Sequence, residues 1–364
     1  MYLALPAFRF IAAVVLSIAC ASSVIAAPSL TDAEQAEVIN ALSVELIKRY
    51  VFPDKAQSAM DRVRQYENEG SYRSATDPEQ FAALLTTHLQ QTTGDKHLQV
   101  GYRATPIPLS LVTEPKKPAA SKPIDPTLKF EKTTCLPGKV VYYHIGSTEC
   151  MVGQIGYIKV GAFVNNAEEA IASAMTRLSD TKVLIIDVRD NGGGYPETVA
   201  ELSSYLFEQR THLNDLYWRG SNRTVEFWTK DVVAGRKFGQ QKDVYVLTGP
   251  NTFSAAEEFA YTLKVLKRAT LVGAITRGGA HAGGPIRLTA HFGAFIPYGR
   301  PINPVTGTNW EGVGVVPDVA VFEDKALTVA QIMVLKNMLK TETRSVLKAQ
   351  LRARLSVLKR EMDE

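Results

Sequence analysis

The chain predicts an α/β protein whose largely parallel sheet is preceded by a small helical domain. Three observations carry that expectation. Helix-period apolar patterning runs to about residue 93, short apolar strand runs alternate with helical segments beyond about residue 140, and a Pro- and Lys-rich stretch, residues 105–126, divides the two regimes. With 364 residues, 45% hydrophobic and 21% charged, the composition is that of an ordinary globular protein and not of a disordered one.

Arg9 precedes the apolar run Phe10 to Ile18, and small residues follow through Ala26 and Ala27. This reads as a secretory signal peptide over residues 1–27, too short for a membrane span with its flanks. A periplasmic or secreted protein is therefore expected. A rival cut before Cys20 in LSIAC would give a lipid anchor, but Ser17 stands three before the cysteine, where Leu is usual. Loss of Arg9, the only charge in the leader, lowers the formal net charge from +4 to +3. So small and evenly spread a charge argues against a nucleic-acid partner.

The mature part opens with the capping box Thr31 to Glu34, followed by Val38, Ile39, Leu42, Leu46 and Ile47 at helical spacing. A turn at Phe52-Pro53-Asp54 ends that helix. A second helix is expected from Ala56 to Glu69 and a third from Pro78 to Gln91, with a strand over Leu98 to Arg103. Further on, apolar runs at Val140 to Tyr143, Ile155 to Val160, Val183 to Val188, Val244 to Leu247 and Thr270 to Gly273 predict strands. Helical segments fall at Ala167 to Leu178, Glu197 to Phe207 and Ala255 to Leu266, and the tail from Leu327 to Leu358 reads as one basic amphipathic helix docked on its own core. Sheets of this kind place sites at the C-terminal ends of their strands, which directs attention to the loops after Val188, Leu247 and Gly273.

Each of the first two loops carries a pattern with chemical meaning. In VYVLTGPNTFSAAEEFAYTL a buried strand, a Gly-Pro turn and a helix meet at Ser254. Ser254 and Glu257 have capping-box spacing, the stronger reading of that stretch alone, yet a serine at a strand-turn-helix junction is also exposed to helix-start N–H groups that favour an anion. In VLIIDVRDNGGGYPETVAEL three glycines precede a helix, as either a tight turn or an anion-binding nest; no Lys-Ser/Thr follows them, so a phosphate loop of the Walker type is excluded.

A serine nucleophile needs a base. Of six histidines, His97 in TTGDKHLQV lies at a helix-to-strand junction; His144 reads as structural and His88 and His212 as surface groups, with His281 and His291 left unassigned. Cys135 and Cys150 flank the strand-like KVVYYHI and, in an oxidising compartment, are favoured as a disulfide over two free thiols. No CxxC or HExxH pattern supports a metal, and no metal or organic cofactor is expected.

Taken in order, DVRDNGGG, GPNTFSAAEE, LVGAITRGGA and NWEGVGVVPDV resemble peptidase family S41, which holds the C-terminal processing peptidases, the tricorn core proteases and the interphotoreceptor retinoid-binding proteins. KRYVFPDKA and TTGDKHLQV resemble the N-terminal part of the retinoid-binding branch. The resemblance implies a crotonase-like α/β core over residues 154–325, an N-terminal helical domain over 28–104, a linker over 105–153 and a C-terminal helix over 326–364. It implies Ser254 as nucleophile, His97 as general base and Glu311 as the acid that completes the site. The oxyanion hole would come from Ala255 and the Gly192-Gly193-Gly194 turn, with Gly192 and Gly193 as its donors.

Three departures qualify the transfer. Gly279 stands where the processing-peptidase branch carries its lysine base, so a Ser/Lys dyad is not expected. About fifty residues separate the helical part from the core, too few for the PDZ domain of that branch. Lys96 stands beside His97 where the tricorn site has a serine. The function implied is a serine-type peptidase acting on peptides or unfolded protein ends; a catalytically silent binder of a hydrophobic or peptide ligand and an esterase-like hydrolase are the alternatives.

Overall fold

The computed structural model describes residues 29–109 and 138–363. The apolar leader, Cys20 and Cys135 lie outside them. Cys150 is disulfide-bonded.

Helices α1 (Asp32–Arg49), α2 (Pro53–Asn68) and α3 (Pro78–Thr93) come first, then strand β1 (Gln99–Tyr102). The Thr31/Glu34 capping box forms as expected, and Pro53 starts α2 instead of standing in a turn before it, because a helix's first N–H needs no partner. Gly94, in the left-handed conformation at φ 73°, ends α3 and turns the chain into β1.

Next come β2 (Val141–Tyr143), β3 (Gly146–Met151), β4 (Ile155–Val160), α4 (Glu168–Leu178), β5 (Val183–Asp187) and α5 (Pro196–Ser204). After them lie β6 (His212–Trp218), β7 (Arg223–Trp228), β8 (Asp243–Thr248), α6 (Ala255–Val265) and β9 (Thr270–Gly273). The chain closes with β10 (Gly283–Arg287), β11 (Phe292–Pro297), β12 (Gly299–Ile302), β13 (Val319–Ala320), α7 (Ala326–Thr341) and α8 (Ser345–Asp363).

The main sheet has seven strands in the order β13-β9-β8-β5-β4-β3-β2. Its strands from β13 to β4 pair in parallel, while β3 and β2 join antiparallel, so the sheet is largely parallel with an antiparallel edge. Part of the expected 105–153 linker thus belongs to the sheet. β2 forms within the expected Val140 to Tyr143 run, while β3 escapes a periodicity reading because its residues are mostly half-buried.

Alternate residues of the parallel strands feed two cores. Leu184, Ile186, Val244, Val246 and Leu271 pack with α4, α5 and α6 on one face. On the other, Val183, Ile185, Tyr245, Leu247 and Val272 pack with Ala330, Val334 and Leu335 of α7 and Leu351 and Leu358 of α8. Covering both faces is why these strands read as continuous apolar runs.

The tail docks on its own core as two helices, not one. Glu342 leaves the helical region at ψ 126° and its carboxylate takes the N–H and guanidinium of Arg344, folding α8 back. A third core joins the helical part to later strands: Leu42, Phe81, Leu85 and Leu98 pack with Ile286, Phe292, Ala294 and Ile296, and β1 pairs with β11 in a β1-β11-β10 sheet. His97, two residues before β1, is fixed against the α/β core by that pairing.

Candidate active site

The loops after β5, β8 and β9 converge at the C-terminal edge of the parallel strands. The first two are tied by Asn191, whose Nδ2 donates to Val160 O at 3.0 Å and whose carbonyl accepts the Phe253 N–H at 3.0 Å. Thr252 Oγ1 adds a bond to Val188 O at 2.8 Å. The chain therefore enters α6 through a turn held on both sides.

Ser254 sits in that turn at φ 56°, ψ −123°, a conformation costing a non-glycine residue about 1–3 kcal/mol. Strain of this kind persists only where the surroundings impose it. Here Gly193, at φ 105°, lies so close that a Cβ on it would come within 2.7 Å of Ser254 Cβ and 2.9 Å of Phe253 O. Only glycine fits there. Ser254 has the capping-box arrangement with Glu257, whose carboxylate accepts the Ser254 N–H at 3.0 Å, while the hydroxyl makes no cap hydrogen bond of normal geometry.

Glu257 does more than cap. Fully buried, it also accepts the Gly278 N–H at 2.6 Å, the Gly279 N–H at 2.9 Å and the Thr276 hydroxyl, so one carboxylate pins the third loop to the serine turn. Burial raises its pKa, against the pull of those donors.

The expected oxyanion donors divide. The Gly193 N–H is committed to Asn191 Oδ1 at 2.8 Å, so this glycine contributes its lack of a side chain and not a donor. The N–H groups of Gly192, Gly194 and Ala255 donate to no acceptor among the described residues. Ala255 begins α6 beside Ser254, so its N–H also carries the positive end of the helix dipole.

His97 is buried, stacked on Phe253 with ring centroids 4.2 Å apart and flanked by Phe295 at 5.8 Å. The structure thus brings His97 against the residue preceding Ser254. Burial pushes its pKa down to about 4, against the pull of Asp95 and with the help of His281 and Arg277. Nδ1 is sealed and unpartnered, which leaves Nε2 as the nitrogen able to face a substrate. Among the described residues no hydrogen bond joins the His97 ring to Ser254 or to Glu311.

Glu311 turns instead to the third loop. Its Oε2 accepts the N–H groups of Ala280 at 2.5 Å and His281 at 3.2 Å and lies 3.5 Å from His281 Nδ1. His281 Nδ1 in turn meets Asp95 Oδ2 at 2.7 Å. Asp95, fully buried, also accepts the Tyr50 hydroxyl at 3.0 Å and, through Oδ1, the His97 N–H at 3.0 Å. Burial lifts the Asp95 carboxyl, but the hydrogen bond and charge of His281 outweigh it and hold the group below its ordinary range. For Glu311 burial prevails and the pKa is raised.

The Asp95, His281 and Glu311 ligand atoms lie within 4.8 Å of one another. A hydrogen-bonded network already accounts for that closeness, since Asp95 is saturated by three donors.

Asp95, Tyr50 and His281 are the residues sequence reasoning passes over. Asp95 is legible in part, standing two before His97 in a spacing at which an aspartate side chain caps the backbone N–H. His281 lies two residues after Gly279 in a loop already marked as site-bearing.

The model of peptidase family S41 matches residues 154–321, and that of the N-terminal domain of peptidase S41 in eukaryotic IRBP matches residues 26–130. The chain is 28% identical over 195 residues to carboxyl-terminal-processing peptidase 2, chloroplastic, of Arabidopsis thaliana, covering 53% of this chain and 36% of that protein. It is 28% identical over 169 residues to the chloroplastic C-terminal processing peptidase of Tetradesmus obliquus, 46% of this chain and 35% of the other. The match spans about a third of the length of these curated relatives. Among solved structures, mature CPAF superposes with TM-score 0.52 at 13% identity, over 84% of this chain and 97% of that one, a likeness of fold.

Proposed function

The chain belongs to peptidase family S41, and from that premise we propose that it is a serine-type peptidase acting on peptides or unfolded protein ends, with Ser254 as nucleophile and His97 as general base. The observation that carries the reading is the strained Ser254, held at φ 56° beside unpaired N–H donors, with a buried neutral histidine stacked on the residue before it.

In the reaction, Ser254 Oγ bonds to the scissile carbonyl carbon while its proton passes to His97. The carbonyl electron pair moves onto oxygen, where the N–H groups of Ala255 and Gly192 stabilise the charge. Collapse breaks the C–N bond as His97 returns the proton to the leaving amine, and water repeats the cycle on the acyl-enzyme. Glu311 supports the base indirectly, through the loop that carries Ala280 and His281.

The leader sequence supports a periplasmic or secreted location. Among the described residues no helix is long and apolar enough to cross a membrane. Cys135 is proposed as the partner of Cys150.

A fluorophosphonate probe tests the reading. The folded mature protein is expected to form an adduct on Ser254, mapped by mass spectrometry; Ser254→Ala abolishes it, and His97→Ala slows it by about 10²–10⁴-fold. A folded protein that takes no label at Ser254 overturns the proposal.

A further inference from the structure

We propose that His281 is a positioning residue of this site, the hydrogen-bonding link that holds Asp95 and Glu311 together behind His97. The inference rests on the peptidase reading and deepens it.

Asp95 comes from the helical part and Glu311 from the loop before β13; both carboxylates are largely buried, and among the described residues neither is paired with a lysine or arginine. Two such carboxylates repel in a poorly solvated site unless a proton or cation lies between them. Among the described residues it is the His281 ring that stands there, 2.7 Å from Asp95 and 3.5 Å from Glu311, with its side chain 5% exposed. Phe52 packs edge-on against its ring at 5.2 Å, fixing the ring plane.

The consequence reaches His97 through Asp95. The same carboxylate that takes the His281 ring accepts the His97 main-chain N–H. His281 thus sets where the base sits and how much negative potential it feels when it becomes an imidazolium. Without His281, Asp95 loses one of three donors, Glu311 loses the ring beside it, and the two turn from each other. The serine, its donors and the substrate path are untouched, so the loss falls on the proton-transfer step and not on binding.

The test uses the full mature chain and the fluorophosphonate probe under saturating conditions, separating the maximal labelling rate from the half-saturating concentration. His281→Ala is expected to lower the maximal rate by about 100-fold with the half-saturating concentration changed less than about threefold. His281→Asn, whose amide can stand in for the Nδ1 donor to Asp95, is expected to recover at least a tenfold share. A rate within threefold of wild type in His281→Ala overturns the proposal. So does an Asn variant that, with wild-type melting behaviour, is as slow as the Ala variant, and so does an effect confined to the half-saturating concentration. Should His281→Ala fail to fold, the Asn variant decides alone: within tenfold of wild type supports the role, a 100-fold loss opposes it. Wild-type labelling at Ser254 is the control that separates failure of this inference from failure of the peptidase reading.

Discussion

His97 can serve as a base because it is kept uncharged. Burial among Phe253 and Phe295 removes the solvation an imidazolium needs, and the resulting pKa of about 4 lies well below the ordinary 6.5. Two expectations follow with definite sign. The base works deprotonated, so the labelling rate of Ser254 should hold down to about pH 5 and fall only below it, where an ordinary histidine would begin to fail near 6.5. For stability, the unfolded chain binds the proton first as pH falls. The contribution of neutral His97, about 3 kcal/mol by the size of the shift, is therefore complete above about pH 6.5 and is lost progressively toward pH 4. Urea unfolding at several pH values, compared with His97→Gln, measures that slope; a variant with an unchanged slope would show that other groups carry it.

At the level of elements the site depends on how three loops are fastened, and Glu257 is the fastening. Its carboxylate gathers four donors, from Ser254, Thr276, Gly278 and Gly279, in a fully buried position. Glu257→Gln turns one acceptor into an NH₂ group facing N–H donors. A loss of about 2–3 kcal/mol in unfolding free energy, measured by urea denaturation, is expected, together with slower labelling at Ser254 as the strained turn relaxes. Stability equal to wild type would mean that the loop is held elsewhere. What was legible in the sequence follows the same division. β4 and β9 were read to the residue because both faces of each are covered, and Ser254 with Glu257 was read because helix caps are local. The break between α7 and α8 was not, since no Gly or Pro marks it and a single charge pair at Glu342 and Arg344 makes the turn. β6, β7 and β10 to β12 were not, because polar residues interrupt the apolar runs of β6 and β7, and glycine and proline interrupt those of β10 to β12. The Asp95–His281 contact joins residues 186 apart in sequence, and no local pattern carries such information.

The molecule as a whole works as one body across what the sequence divides in two. The base comes from the N-terminal part and the nucleophile from the α/β core, and the link between them is β11, which pairs with β1 and closes the apolar core under α1 to α3. The end of α1 is stitched to the same region: Val51 N–H donates to Pro297 O at 2.9 Å, and Arg219 donates to the carbonyls of Ile47 and Tyr50. Phe292 is the clearest place to probe the link. It is 3% exposed, lies edge-on to Phe81 at 6.0 Å and touches Tyr102 at 5.3 Å, so it bridges helix α3, strand β1 and strand β11. Phe292→Ala removes a large ring from a closed core and is expected to cost about 3–5 kcal/mol. Because β1 positions His97, Ser254 labelling of the still-folded fraction should also slow, although Phe292 touches neither residue. Urea titration followed in parallel by far-ultraviolet circular dichroism and by labelling provides the check. Coincident midpoints, both shifted down, agree with a site assembled by this core; unaltered labelling in a protein whose helical part has already unfolded would show that the α/β core carries the activity without His97.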